Sequence, residues 1–354
     1  MEQHNWLLYI AAFASAFGIA LFTTPFAKKI SIKLGAIDYP KKRGLHTKPL
    51  PRMGGLAIFS GFIVTIFVIM PFQQEFRDRQ FIGFLIGAII IAALGALDDV
   101  RNSKGGLSAK IRLAVQILAA LIVVLTGTRI DVSMWPMGEH LSVLSAPITI
   151  IWIVGLINAV NLIDGVDGLA AGVSSICALC LMVLCIITGS PLAVVLAATL
   201  AGSCLGFLPR NFNPAELIMG DTGATFLGYV LAVSSILGVF KSYTILVVIV
   251  AVLSMALPIL DTLFAMIRRA YNGKHIMTAD RGHLHHRLID RGYSQKQAVA
   301  ILYGISLLTG IFSIAIAIRN FFALMILGVF FLALLCVLYV YKKRTTKDTN
   351  EAKE

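Results

Sequence analysis

Four polar residues recur at every third position of NAVNLIDGVDG, residues 158–168: Asn158, Asn161, Asp164 and Asp167. Apolar runs flank them on both sides, and an ionised aspartate is costly in lipid. Steps of three residues drift by about 60° around an ideal helix, so the four cannot share one face. The pattern predicts a helix ending at about 162–164, with Gly165 and Gly168 supplying the break. The loop that follows would present amides and carboxylates into a cavity, because irregular backbone at membrane depth must line protein or water. A plain polar turn is the alternative, yet an ordinary turn has no use for the two preceding asparagines.

Three more acidic pieces share this character. Asp98 and Asp99 end GFLIGAIIIAALGALDD, where adjacent carboxylates oppose the dipole of a helix C-terminus and repel each other. Either the nearby Arg101, Lys104 and Lys110 compensate them, or a divalent cation or its pyrophosphate complex does. Asp221, in MGDTGATFLG, can be an N-cap. It can equally be one of the one or two carboxylates that Mg2+ takes while phosphates and water complete its shell. The glycine-rich helix start around it would suit an anion. Asp261 precedes the last polar stretch, which makes six of the 18 acidic residues placed where helices meet one interface.

Basic residues and histidines fill the remaining polar loops. TADRGHLHHRLIDRG, residues 278–292, sets His283, His285 and His286 between Arg281 and Arg287. A zinc site there would lack cysteine partners, whereas Arg and protonated His donate charge-assisted bonds to a sugar phosphate. A loop placed only by topology would leave three of the chain's seven histidines unexplained. DYPKKRGLHTKPLPRMGG, residues 38–55, carries Lys41, Lys42, Arg43, His46, Lys48 and Arg52. Topology accounts for most of these, while the PRMGG end could bring Arg52 to a lipid phosphate. Cys177, Cys180, Cys185, Cys204 and Cys336 all fall in apolar runs and read as packing residues.

The elements that must position these residues are membrane helices. The 354-residue chain is 58% hydrophobic and only 14% charged, against about 25% charged in soluble domains. Eleven runs approach the length that a hydrocarbon core requires: 6–27, 54–72, 81–97, 111–126, 146–162, 169–188, 192–208, 222–240, 244–265, 297–318 and 321–341. The first lacks a basic leader and a cleavage pattern, so it is expected to be retained. With the N-terminus outside, 25 of the 30 Lys and Arg residues fall on inner segments, which orients the chain N-out and C-in. The net charge of +12 then follows from topology and anionic lipid, with no nucleic-acid partner required. The expectation is an all-α, polytopic helical bundle forming one unit over 1–341, with a short basic and polar tail over 342–354.

In order along the chain, PRMGG, LDD, NAVNLIDGVDGLAAG, NFNPAELIMGDTG, PILDT and HLHH resemble the polyprenyl-phosphate N-acetylhexosamine-1-phosphate transferase family. The resemblance implies a helical membrane fold with its active site on the cytoplasmic face of the bacterial plasma membrane. It implies transfer of a sugar 1-phosphate from a UDP-sugar to undecaprenyl phosphate, with Mg2+ (Mn2+ as a substitute) and release of UMP. It makes Asp221 the metal ligand, and Asp98 and Asp99 the pair near the attacking phosphate. Asn161, Asp164 and Asp167 become part of the nucleotide pocket, Asn211 a substrate contact, and His283, His285 and His286 a hold on sugar or pyrophosphate. Arg52, Lys104, Asn158 and Arg281 complete the expected substrate-facing set.

The HLHH loop and the eleventh span are more similar to the initiators of teichoic acid and enterobacterial antigen than to the peptidoglycan enzyme. UDP-GlcNAc is therefore the expected donor, with UDP-MurNAc-pentapeptide as the alternative; a homodimer is left open. Two positions depart from the family pattern: Ile218 stands where an aromatic residue is usual, and Ala224 where Ser is usual. The competing class, an ion-coupled carrier, would place polar residues near mid-bilayer and show repeat symmetry. The acids here cluster at one interface and no repeat is visible.

Overall fold

A computed structural model describes residues 5–40, 48–72, 74–102, 105–132, 142–238, 252–253, 255–271, 283–319 and 328. Helices dominate: α1 (Trp6–Lys33), α2 (Gly55–Ile69), α3 (Arg79–Arg101), α4 (Ala109–Leu125), α5 (Ser145–Ile163), α6 (Leu169–Ile187), α7 (Pro191–Asn211) and α8 (Gly220–Gly238). They are followed by α9 (Ala256–Tyr271), the short α10 (Leu284–Asp290) and α11 (Gln295–Ala317). The one sheet among the described residues is a hairpin of β1 (Ile37–Asp38) and β2 (Leu50–Pro51), antiparallel, with Ile37 opposite Pro51.

Eight described helices are long and apolar enough to span a membrane, which makes this an all-α membrane protein. They match eight of the expected runs to within a few residues, apart from α1, which runs on to Lys33. The run at 111–126 is α4, a 17-residue helix. The run at 244–265 enters the described residues at its C-terminal end, as α9; 321–341 and the tail lie outside them, residue 328 excepted.

Chain reversals sort the helix ends into two rims. The described parts of the links 34–54, 102–108, 164–168 and 212–219 gather at one rim, joined by contacts among their neighbouring helix ends. Helix α1 lies along α7 and α2, α6 along α7, and both α3 and α5 along α8, while α11 covers α6. Helices α7 and α8 form the centre, 83% and 94% buried along their apolar windows. Yet α8 has a mean hydropathy of only 1.2, the lowest of the eight. Enclosure by protein, not lipid, lets it carry Asp221, Thr222 and Thr225.

Candidate functional site

Helix ends assemble the acids. The last turn of α3 delivers Asp98 and Asp99, and the first turn of α8 delivers Asp221. Asp99 is fully buried. Its Oδ1 accepts the main-chain N–H of Asp221 and the Nε–H of Arg52, each at 2.9 Å. Its Oδ2 accepts the main-chain N–H of Thr222 at 2.9 Å and the Thr222 hydroxyl at 2.5 Å. A helix leaves its first N–H groups without internal partners, and here a carboxylate from another helix satisfies two of them. The N-cap alternative for Asp221 is thereby corrected: Asp99 caps α8, and the Asp221 side chain keeps 18% exposure. Gly220 makes the approach possible. It adopts φ +73°, and a Cβ there would lie 2.0 Å from the Arg52 carbonyl oxygen.

Two arginines bridge the three carboxylates. Arg52 places Nη2 3.5 Å from Asp221 Oδ2 while its Nε holds Asp99. Arg112 places Nη1 3.1 Å from Asp98 Oδ2 and 3.9 Å from Asp221 Oδ2. Asp98 also accepts the Leu107 N–H, and it stands within hydrogen-bonding reach of Asp221. Compensation of Asp98 and Asp99 by Arg101, Lys104 and Lys110 is one of two readings the sequence leaves open; the arginines that meet them are Arg52 and Arg112. Arg101 is exposed. Lys110 is exposed as well, and Lys104 lies outside the described residues. Arg112 went unnoticed in the sequence, although it sits in the first turn of the helix that follows the LDD turn.

The PRMGG segment is built into this site. Arg52 N–H donates to Ala36 O and Ser31 Oγ, and Ile218 N–H donates to Pro51 O. Gly54 and Gly55 N–H groups return bonds to Ile218 O and Met219 O at 2.9 and 2.8 Å. Arg52, which the sequence could bring to a lipid phosphate, is held against acids. Burial opposes its charge, but Asp99, Asp221 and Asp38 outweigh that and keep its pKa above the ordinary value.

Helix α5 ends at Ile163, as the spacing of its polar residues predicts. Of the two expected breakers, Gly168 takes the left-handed conformation at φ +76°. Gly165 acts by absence of a side chain: a Cβ there would meet His285 Nε2 at 2.7 Å. Asp164 is pushed up to about 8, by burial first and then by the Asp221 charge, with Arg52 opposing. Asp167 accepts Asn213 Nδ2–H at 3.0 Å and Ala215 N–H at 3.1 Å, and Asn213 donates also to Gln295. Tyr303 donates its hydroxyl to Gly168 O at 2.6 Å.

The asparagines divide by partner. Asn211 accepts the Gly168 N–H and donates to Leu217 O, so its buried amide ties two loops together where a substrate contact was expected. Asn158 donates to Gln116 Oε1 and Val154 O, both at 2.7 Å, and so joins α5 to α4. Asn161 stands half-buried in the last turn of α5.

The histidine segment docks on the same loop. His283 and His285 are buried, and their rings lie parallel, 5.7 Å apart; the His286 ring is 4.3 Å from that of His285. Burial, with His286 and His283 beside it, drives the His285 pKa down to about 3. The buried His285 ring is therefore neutral. Arg281 lies outside the described residues.

Among the described residues no three His, Cys, Asp or Glu side chains converge into a ready-made metal cage. Asp98 and Asp221, oxygen donors side by side, fit a hard cation that keeps most of its shell for water and phosphate. Thr222, Asn213, Gln295 and Tyr303 were not singled out in the sequence. Each meets its partner from far along the chain, and no local spacing signals that.

Residues 81–239, which hold five of the six acids, match the family model described as glycosyl transferase family 4. A probable undecaprenyl-phosphate N-acetylglucosaminyl 1-phosphate transferase of Bacillus subtilis is 38% identical over 319 residues, covering 89% of this chain and 87% of its own. A decaprenyl-phosphate N-acetylglucosaminephosphotransferase of Mycolicibacterium smegmatis is 33% identical, covering 80% and 76%. An undecaprenyl-phosphate alpha-N-acetylglucosaminyl 1-phosphate transferase of Salmonella typhi is 29% identical, covering 85% and 83%.

Proposed function

The chain belongs to glycosyl transferase family 4, and from that membership we propose that it transfers N-acetylglucosamine 1-phosphate from UDP-GlcNAc to undecaprenyl phosphate. UMP leaves, and the sugar remains on a lipid diphosphate that starts a cell-envelope glycopolymer of the teichoic-acid kind. The observation that carries this reading is the joining of Asp98, Asp99 and Asp221, from two distant helices, under Arg52 and Arg112 at one rim of a membrane bundle. The names of the relatives support the sugar and the polyprenyl acceptor.

The basic bias of the sequence supports placing this rim at the cytoplasmic face of the bacterial plasma membrane, with eleven spans, the N-terminus outside and the C-terminus inside. A lipid phosphate and a nucleotide sugar can meet only there, at a boundary between bilayer and water.

Asp221 and Asp98 would hold Mg2+ (or Mn2+), which when bound neutralises pyrophosphate charge. The chain's own groups do the rest. Arg112, whose side chain is 37% exposed, is placed to meet an anionic oxygen at the mouth of the site. Arg52 and Asp99 hold the first turn of α8 still. The acceptor monoester has a second pKa of about 6, so it is largely dianionic at neutral pH and needs no strong base. Its oxygen attacks the β-phosphorus in line as the bond to the UMP oxygen breaks, and positioning supplies most of the rate. Asp98, held by Arg112 and the Leu107 N–H, would orient the acceptor through the cation it shares with Asp221.

The test is the purified chain in detergent with labelled UDP-GlcNAc, undecaprenyl phosphate and Mg2+. Lipid-extractable label with stoichiometric UMP is the expected result; neither product from folded protein refutes the reading. Retention of configuration at phosphorus would refute the direct attack in favour of a covalent aspartyl intermediate.

A further inference from the structure

One buried carboxylate stands outside the Asp98–Asp99–Asp221 cluster and holds the histidine segment by two points. Asp261, on α9, is 4% exposed. Its Oδ2 lies 2.9 Å from His283 Nδ1, and its Oδ1 accepts the Leu284 N–H at 2.9 Å. Helix α10 needs such an outside partner. It has seven residues, too few to be stable alone, and its N-cap, His283, makes no side-chain cap bond. Asp261 therefore serves as the cap from across the fold.

The same contact sets a proton. An ionised carboxylate only accepts hydrogen bonds, so His283 carries its hydrogen on Nδ1. The stacked His283 and His285 rings then carry the restraint to Gly165, whose Cα faces His285 Nε2. A continuous set of contacts thus runs from Asp261 to the residue after Asp164.

We infer that Asp261 is the positioning residue of the His283–His286 segment: it fixes α10 against the 164–168 loop and locks His283 with Nδ1 protonated. This rests on the transfer reading for its kinetic consequence, though not for its structural one. Misplacing a group by about 1 Å can cost roughly 100-fold in rate, and that is the size of effect expected.

The experiment uses the full chain in detergent, with Asp261→Ala, Asp261→Asn, His283→Ala and the double variant Asp261→Ala/His283→Ala. Asp261→Ala is expected to lower kcat about 100-fold with the donor KM little changed. Asp261→Asn keeps an oxygen for the Leu284 N–H but offers an NH2 to His283, reversing the tautomer. It is therefore expected to lose kcat like the alanine variant. The double variant should be no slower than either single, because both act through one contact.

Hydrogen exchange over residues 284–287 reads the clamp without activity: protection in the wild type should fall in Asp261→Ala. Unchanged exchange, a multiplicative double variant, or wild-type kcat in Asp261→Asn would each overturn the inference, the last even if Asp261→Ala failed to fold. A wild type without transfer activity would refute the proposed function alone, and the exchange measurement would still decide the clamp.

Discussion

Asp99 and Thr222, 123 residues apart, are joined twice through one oxygen: Oδ2 accepts the Thr222 main-chain N–H at 2.9 Å and its hydroxyl at 2.5 Å. The carboxylate thereby spends its acceptor capacity on α8 and Arg52. Asp99 does not stand open to substrate; it sets where Asp221 stands.

Asp99→Ala should therefore destabilise the protein by about 3 kcal/mol, since it strands a buried guanidinium and two helix N–H groups. Thermal unfolding in detergent checks this. Asp99→Asn, which keeps two of the bonds, should be less destabilised; equal losses in both variants would remove the capping account.

Asp221→Asn should abolish transfer while leaving unfolding close to wild type, because its main-chain N–H still donates to Asp99. The residual rate should also lose its Mg2+ dependence. Substantial Mg2+-dependent turnover in this variant would take Asp221 out of the cation site.

Arg52 and Arg112 touch the same carboxylate but differ in cover, their side chains being 14% and 37% exposed. Arg52→Ala should cost about 3 kcal/mol, the price of breaking a buried pair. Arg112→Ala should cost under about 1 kcal/mol, as exposed pairs do, yet lower kcat. The reverse order of stabilities would contradict the geometry.

Asp164, raised to about 8 in the folded chain, ionises near 3.9 when unfolded. Between these values the unfolded chain sheds a proton that the folded chain keeps, so stability should fall as pH rises from about 4 to about 8. Measured in chelator, the decline should flatten in Asp164→Asn. An unchanged slope would mean that Asp164 is not the group responsible.

Gly165→Ala meets no backbone obstacle, since Gly165 is not among the positive-φ glycines. The new Cβ would lie 2.7 Å from His285 Nε2 and force that ring away. A fall in kcat of roughly 100-fold, with unfolding little changed, is expected; wild-type kinetics would mean that the His285 position does not matter.

What the sequence discloses is local. The three-residue spacing in NAVNLIDGVDG placed the end of α5 because helix periodicity conflicts with it within nine residues. Apolar run lengths placed the spans for the same reason. Proximity along the chain offered only Arg101, Lys104 and Lys110 as possible partners of Asp98 and Asp99, while folding brought in Arg52 and Arg112. The internal bonds of Asn211 and Asn158 were not legible for the same reason. An amide in a polar motif has the same chemistry whether it meets a ligand or a neighbouring loop, and only the packed structure distinguishes them.

The low hydropathy of α8 has a consequence for biogenesis. A segment at 1.2, carrying an aspartate and two threonines, gains little from lipid by itself. Its enclosure comes from α3, α5 and α7, which precede it in the chain. Asp221 is thus inserted into an already standing wall, so a damaged early helix would leave a protein whose acid cluster never assembles.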